Sequence, residues 1–282
     1  MKTSKKIIAI VVLLCLLLVT AMSIFAINMI KRYNVKKDFY IAIEENDIDT
    51  VREILAKYPL FANSTRHPII TFISREGPTA LTLAIRQSSD MELIQYLVEN
   101  GADVNKAPVS FSSDPQYPLL EALRFGRYDV AWYLIEQGAD IHIGTKLENA
   151  SNALLRGGND AEGELEAQFE LFEYMMKHKV SLEAPQMLSD EKMTYLHRAV
   201  LSGNIYIVEF LLTSSELQTE LNPVDEYGET PLMFAVRKQY YDICQRLLEH
   251  GADTKIKDQD GKTAYDYALE LEDQILIEML TK

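Results

Sequence analysis

Gly-Ala-Asp occurs three times in this chain, at Gly101, Gly138 and Gly251, and each time the same residue types precede it at the same spacing to within one residue. Leu232 is followed by Ala235 and Val236, then by the doublet Leu247–Leu248 and Gly251. Leu119 is followed by Ala122, Leu123, Leu134–Ile135 and Gly138, and Leu81 by Ala84, Ile85, Leu97–Val98 and Gly101, one residue longer. Self-similarity of this kind means that each copy is one supersecondary unit, too small to bury its apolar face alone, which stacks on its neighbours to make a continuous core. The spacing fits two short antiparallel helices and a turn. The small alanine lets the first helix approach the next unit, the doublet on the second helix fills the interlayer space, and the glycine supplies the positive φ that ends a helix. Thr79 and Thr230 stand just before their first helices, where a hydroxyl caps free amides.

These residues resemble the ankyrin repeat, with its T-P-L-H-x-A start and G-A-D finish. The match is carried by Thr230-Pro231-Leu232 with Gly251-Ala252-Asp253, and by Thr194-Tyr195-Leu196-His197-Arg198-Ala199. Phe39, Ala42, Ile43, Val51, Ile54 and Leu55 fit the spacing as an N-terminal cap. Asp260-Gly261-Lys262-Thr263-Ala264-Tyr265 with Ala268, Leu269, Ile277 and Leu280 fit it as a C-terminal one. The resemblance covers roughly residues 38–282 and implies an all-α solenoid of about six to seven helix-turn-helix units with short hairpin tips. Taking Phe39, Leu81, Leu119, Leu154, Leu196, Leu232 and Tyr265 as equivalent anchors, the intervals are 42, 38, 35, 42, 36 and 33 residues, so loop insertions separate most units. The unit near 145–183 is degenerate: with Leu154 as anchor, Gly157 and Gly158 fall in apolar slots and GGNDAEGELE separates the helices. A competing register places Leu147 and Ala150 in the first helix, and Phe172, Met175 and Met176 suit the second helix either way. After Leu212, the run SSELQTELN and Pro223 replace the Gly-Ala-Asp finish.

The N-terminal stretch is of another kind. Residues 1–6 form a short basic tail, residues 7–30 an apolar run without charge, and residues 31–37 a basic juxtamembrane linker. At 1.5 Å per residue the run spans roughly 36 Å as a helix, enough for a hydrocarbon core of about 30 Å. It reads as an uncleaved single-pass anchor. The alternative is a cleaved signal peptide ending at Ala21-Met22-Ser23, against which the apolar run continues for seven residues beyond Ser23. Leu14 before Cys15 gives no lipoprotein cleavage site. Lys2, Lys5 and Lys6 face Lys31, Arg32, Lys36 and Lys37 across the run, a balance that does not orient it. The short basic head resembles an export signal and leans the body towards the extracytoplasmic side.

With those seven basic residues set aside, residues 38–282 hold 21 basic against 42 acidic residues, a body that repels phosphate backbones and speaks against nucleic acid. The body has one thiol, Cys244, at an apolar helix position, and the reading there is a buried, inert side chain. The five histidines show no metal-ligand spacing. His197 occupies the family's T-P-L-H slot, which implies a hydrogen bond between turns, and His250 sits near a helix C-terminus, where positive charge suits the dipole. No nucleophile elbow, phosphate-cradling loop or dinucleotide fingerprint is present, so no enzyme, cofactor, metal or small-molecule substrate is expected. Arg86, Arg124 and Arg237 fall five residues after their anchors, with Arg198 nearby in its own first helix, and stacking would line up all four as candidate partner-binding residues. The resemblance implies a protein-binding module working through the concave face and hairpin tips: a membrane-tethered adaptor or scaffold, or alternatively an immunity or inhibitor protein that blocks a toxin or enzyme at the membrane.

Overall fold

A computed structural model describes residues 2–66, 77–107, 116–144, 149–156, 164–180, 193–215, 217 and 219–281, with side chains described from Leu16 onward. Among these residues the regular structure is all helical, and no strands are formed beyond two isolated bridges, Thr65–Thr79 and Gly144–Asn149. Helix α1 (Lys2–Glu44) is long; its last turns pair with α2 (Ile48–Lys57). Six further pairs follow: α3 (Ala80–Arg86) with α4 (Met91–Glu99), α5 (Pro118–Arg124) with α6 (Tyr128–Glu136), α7 (Ala150–Arg156) with α8 (Glu164–Lys177), α9 (Tyr195–Leu201) with α10 (Ile205–Thr213), α11 (Pro231–Arg237) with α12 (Tyr241–Glu249), and α13 (Ala264–Glu270) with α14 (Gln274–Leu280).

Helices α3, α5, α7, α9, α11 and α13 are each seven residues long and pack in sequence, forming one rank of the stack. The alanine slot explains how closely they approach: Ala84, Ala122, Ala199, Ala235 and Ala268 are fully buried. Leu97, Leu134 and Leu247 in the second rank are fully buried too, whereas Val98, Ile135 and Leu248 beside them are only half-buried, so the first member of each doublet is the core residue. Thr79 caps α3 by accepting from the Thr82 amide at 3.1 Å, and Thr230 caps α11 by accepting from the Met233 amide at 3.3 Å. The tips are stitched by asparagines: Asn105 Oδ1 accepts from the Asp140 amide at 2.8 Å, and Asn222 Oδ1 from the Asp253 amide at 2.9 Å. Asn222 makes the same bond as Asn105 although its unit lacks the Gly-Ala-Asp finish.

The degenerate unit takes neither of the two registers open to the sequence. Helix α7 begins at Ala150, so Ser151 is its anchor and Leu154 fills the alanine slot, both fully buried. Large and small residues have exchanged places along one helix face, which roughly conserves volume and misleads any pattern that looks for a leucine first. The anchor intervals around it become 32 and 45 residues. Of the expected GGNDAEGELE connection, Glu164, Leu165 and Glu166 form the first turn of α8, and residues 157–163 lie outside the described residues, as does Leu147 of the alternative register. The extra length of α8 has a use: Gln168, 1% exposed, donates to the Leu154 carbonyl and accepts from Asn204, the cap of α10.

At the N-terminus, Phe39, Tyr40, Ala42 and Ile43 of α1 are buried with Val51 and Leu55 of α2, as expected of a first unit, with Ile54 half-buried. The helix is unbroken from the apolar run through residues 31–37 into this core. At the other end Ala268 and Leu276 are buried and Leu269 is 46% exposed, with α13 packed against α11 and α14.

Candidate protein-binding face

The four arginines lie along the short-helix rank, and in each case a carboxylate or burial governs what they offer. Glu121, on the first turns of α5, has a side chain only 1% exposed. Arg86 from the unit before bonds its Oε2 through Nε, and Arg124 from its own helix bonds Oε1 at 3.0 Å. A carboxylate taken out of water needs such counterions, so these two arginines hold a buried charge in place. Arg198 is 8% exposed. Arg237 bonds Glu229 and lies over the rings of Phe234 and Tyr267 at 5.5 and 5.7 Å, with 43% of its side chain still exposed. The corrected register adds Arg156 to the slot of Arg86, Arg124 and Arg237, a position hidden by the misplaced anchor.

Arg237 stands at the edge of a cleft of about 380 Å³ between the last tips and α11 and α13. Its walls are the carboxylates Asp225, Glu229, Asp258 and Asp260 and the rings of Tyr227, Phe234 and Tyr267. The wall is built from a repeated local device, Asp-x-x-Gly-x-Thr, at Asp225–Thr230 and again at Asp258–Thr263. In each copy the aspartate Oδ1 accepts from two amides of its own tip and closes the turn, and the glycine takes a positive φ. Gly228 is needed for a second reason: a Cβ there would meet the Asp258 backbone at 3.1 Å, where the two tips touch. The Tyr267 hydroxyl donates to Asp258 Oδ2 at 2.5 Å, and this bond helps hold the Asp258 carboxyl below the ordinary aspartate range, against the opposing effect of burial. Burial first, then that same bond, raises the Tyr267 phenol. The acidic pattern of this cleft was legible in the repeated hexapeptide; that it closes into one pocket with Arg237 was not.

His197 sits behind the cleft, fully buried, with Nδ1 accepting from the Thr194 amide at 3.2 Å and Nε2 3.0 Å from the Glu229 carbonyl. This is the bond between turns expected of it; desolvation lowers its pKa. Cys244 is 1% exposed and burial pushes its thiol up to about 12, far from a reactive thiolate. His250 is the C-cap of α12 and lies 3.8 Å from Glu209.

Comparison with known proteins gives the same picture from a separate direction. Two family models match: ankyrin repeats (3 copies) over residues 39–145, and ankyrin repeats (many copies) over residues 216–268. An ankyrin repeat protein of Fowlpox virus (strain NVSL) is 24% identical over 89% of this chain and 48% of its own length. Palmitoyltransferase AKR1 of Lachancea kluyveri is 24% identical over 80% of this chain, which matches only 28% of that enzyme. Protein phosphatase 1 regulatory subunit 27 of Mus musculus is 33% identical over 36% of this chain and 59% of its own length. The chain thus spans about half or less of the first two relatives and somewhat more of the third.

Proposed function

The chain belongs to the ankyrin-repeat family, and on that premise we propose that it is a membrane-tethered protein-interaction module, an adaptor or scaffold that holds a protein partner at the membrane surface. The observation that carries the tethering is the two-part character of α1. Between Leu16 and Ile30 its large apolar side chains stand more than half exposed, among them Leu16 at 58%, Phe25 at 67% and Ile30 at 61%. Soluble monomers do not display a continuous apolar surface of that extent without something to cover it. This is one helix long and apolar enough to cross a membrane. From Val35 onward the same helix packs into the first unit, so a span in the bilayer would be joined to the repeats without a hinge.

The binding role is supported by the family and by a relative that is itself a regulatory subunit of a phosphatase. The partner surface we assign is the short-helix rank with its tips, centred on Arg237 and the acidic cleft; Arg86 and Arg124, with Arg198 between the two ends, frame it. A body with twice as many acids as bases suits a basic partner, which electrostatics would steer onto it. We place the repeat domain on the extracytoplasmic side, following the export-like head.

Extraction of membranes with alkaline carbonate tests the tether: the full chain stays in the pellet, and a chain starting at Lys31 moves to the supernatant. A mature N-terminus near Ile24 would instead make the segment a cleaved signal. Protease added to right-side-out vesicles degrades the repeat domain if its placement is right, and leaves it intact if the orientation is reversed.

A further inference from the structure

We propose that the cleft between the Asp225 and Asp258 tips is the seat of a single lysine or arginine side chain of the protein partner, a proposal that rests on the binding-module reading and makes it specific. The two tips are copies 33 residues apart, and they differ in one bond. Asp258 uses both carboxylate oxygens: Oδ1 accepts from the amides of Asp260 and Lys262 at 2.9 Å each, and Oδ2 from the Tyr267 hydroxyl at 2.5 Å. Asp225 repeats the first half, with Oδ1 accepting from the amides of Tyr227 and Glu229 at 2.9 and 2.8 Å. Its Oδ2, in a residue only 4% exposed, has no hydrogen-bond partner among the described residues. The cause is a single residue. The position equivalent to Tyr267 is Phe234, which has the ring and lacks the hydroxyl.

A buried carboxylate oxygen without a donor is costly, and the cost is removed by any donor that reaches it, most of all a charged one. Asp225 lines the cleft, together with Glu229, Asp258 and Asp260, against the one guanidinium of Arg237. The protein already shows what this environment accepts. Arg237 lies on the faces of Phe234 and Tyr267 while bonding Glu229, and Lys262 lies 5.3 Å from the centre of the Tyr267 ring. Aromatic faces backed by carboxylates are the usual surroundings of a bound cation. Arg237 and Lys262 engage Glu229 and Glu270, which leaves the Asp225 side of the cleft for a cation from elsewhere. The small volume suits one side chain presented by an extended segment, not a folded element.

The test uses the full chain in detergent micelles, labelled at its methionine methyl groups, with the resonance of Met193, which lines the cleft. N-acetyl-lysine methylamide and N-acetyl-arginine methylamide should shift it saturably, and the uncharged norleucine analogue should not. Asp225→Asn keeps the acceptor that closes the tip and should weaken the cationic compounds about tenfold or more, the usual scale for a charge-assisted bond. Phe234→Tyr should have the same effect by supplying the missing hydroxyl, while melting no lower than the parent. Equal shifts from the norleucine analogue, or unchanged affinity in Phe234→Tyr, would overturn the proposal. The two readings separate cleanly. Partner capture at parental strength by both variants leaves the module standing and removes this seat. A full chain that captures no partner removes the module and the seat with it.

Discussion

In the pair α11–α12 the slots are filled as the repeat pattern asks. Leu232 is the anchor, Ala235 fills the small slot, three residues turn the chain, and Gly251 ends the second helix at φ +90°. In α7–α8 almost every one of these is different. Ser151 is the anchor, Leu154 fills the small slot, α8 runs to fourteen residues, and Lys179 takes the left-handed position at φ +58°. Yet the helices occupy the same places in the stack, and Met175 is as buried as Leu247. The difference teaches that the stack reads total volume per layer and backbone conformation per turn, not residue identity per slot. It also shows a cost: Ser151 Oγ and both amide atoms of Asn152 are buried without a hydrogen-bond partner among the described residues, so α7 holds polar groups that an apolar helix would not.

The sharpest way to break this comparison is to separate the two exchanged residues. Leu154→Ala alone opens a cavity and should cost about 2–5 kcal/mol. Ser151→Leu alone overfills the layer and should cost about 1–3 kcal/mol. The double variant restores the ordinary pattern, and chemical unfolding should place it well above the sum of the two losses, since the sites are neighbours on one helix face. Simple additivity would show that the volume exchange is not what holds α7 in register.

A smaller effect separates the two turns. Nothing lies within 4 Å of a Cβ placed on Gly251, so Gly251→Ala tests backbone conformation alone and should cost about 1–2 kcal/mol. Lys179→Gly, at the equivalent turn, should raise stability by about 0.5–1 kcal/mol, the relief of the left-handed lysine less the added freedom of the unfolded chain. Equal and opposite shifts in melting temperature are not expected; a loss in Lys179→Gly would mean that the lysine side chain does work at its turn.

The smallest effect is a pH dependence carried by α9. Burial lowers the His197 pKa, so the folded state keeps the ring neutral while the unfolded chain takes up a proton near the ordinary value of about 6.5. Its contribution to stability is therefore whole above that value and declines as pH falls from it towards the lower folded value. Melting curves from pH 7.5 to 5.5 should fall more steeply for the parent than for His197→Gln, whose side chain does not titrate. Parallel curves would place the acid sensitivity elsewhere.

The arginines mark how far pattern reading carried the site. Equal spacing from their anchors was visible, and it does place Arg86, Arg124 and Arg237 on one rank. The ion pairs were not visible, because Glu121 lies 35 residues from Arg86 and looks in the sequence like any exposed helical glutamate. Reversing Arg86 or Arg124 to glutamate would set a second carboxylate against a buried one, and it would test folding before it tested recognition.

The sequence by itself determined the repeat, the order of the helix pairs, the threonine caps, the glycine turns and the apolar run of α1. Each of these follows from local demands, the conformation a turn requires or the period an amphipathic helix keeps, and local demands leave their mark within a few residues. Only the tertiary structure decided that Ser151 and Leu154 exchange roles, that two arginines guard Glu121, and that Asp225 lacks the bond Asp258 has. Volume and charge are settled between layers roughly one repeat apart, and a group's partner there is chosen by stacking, not by its neighbours along the chain.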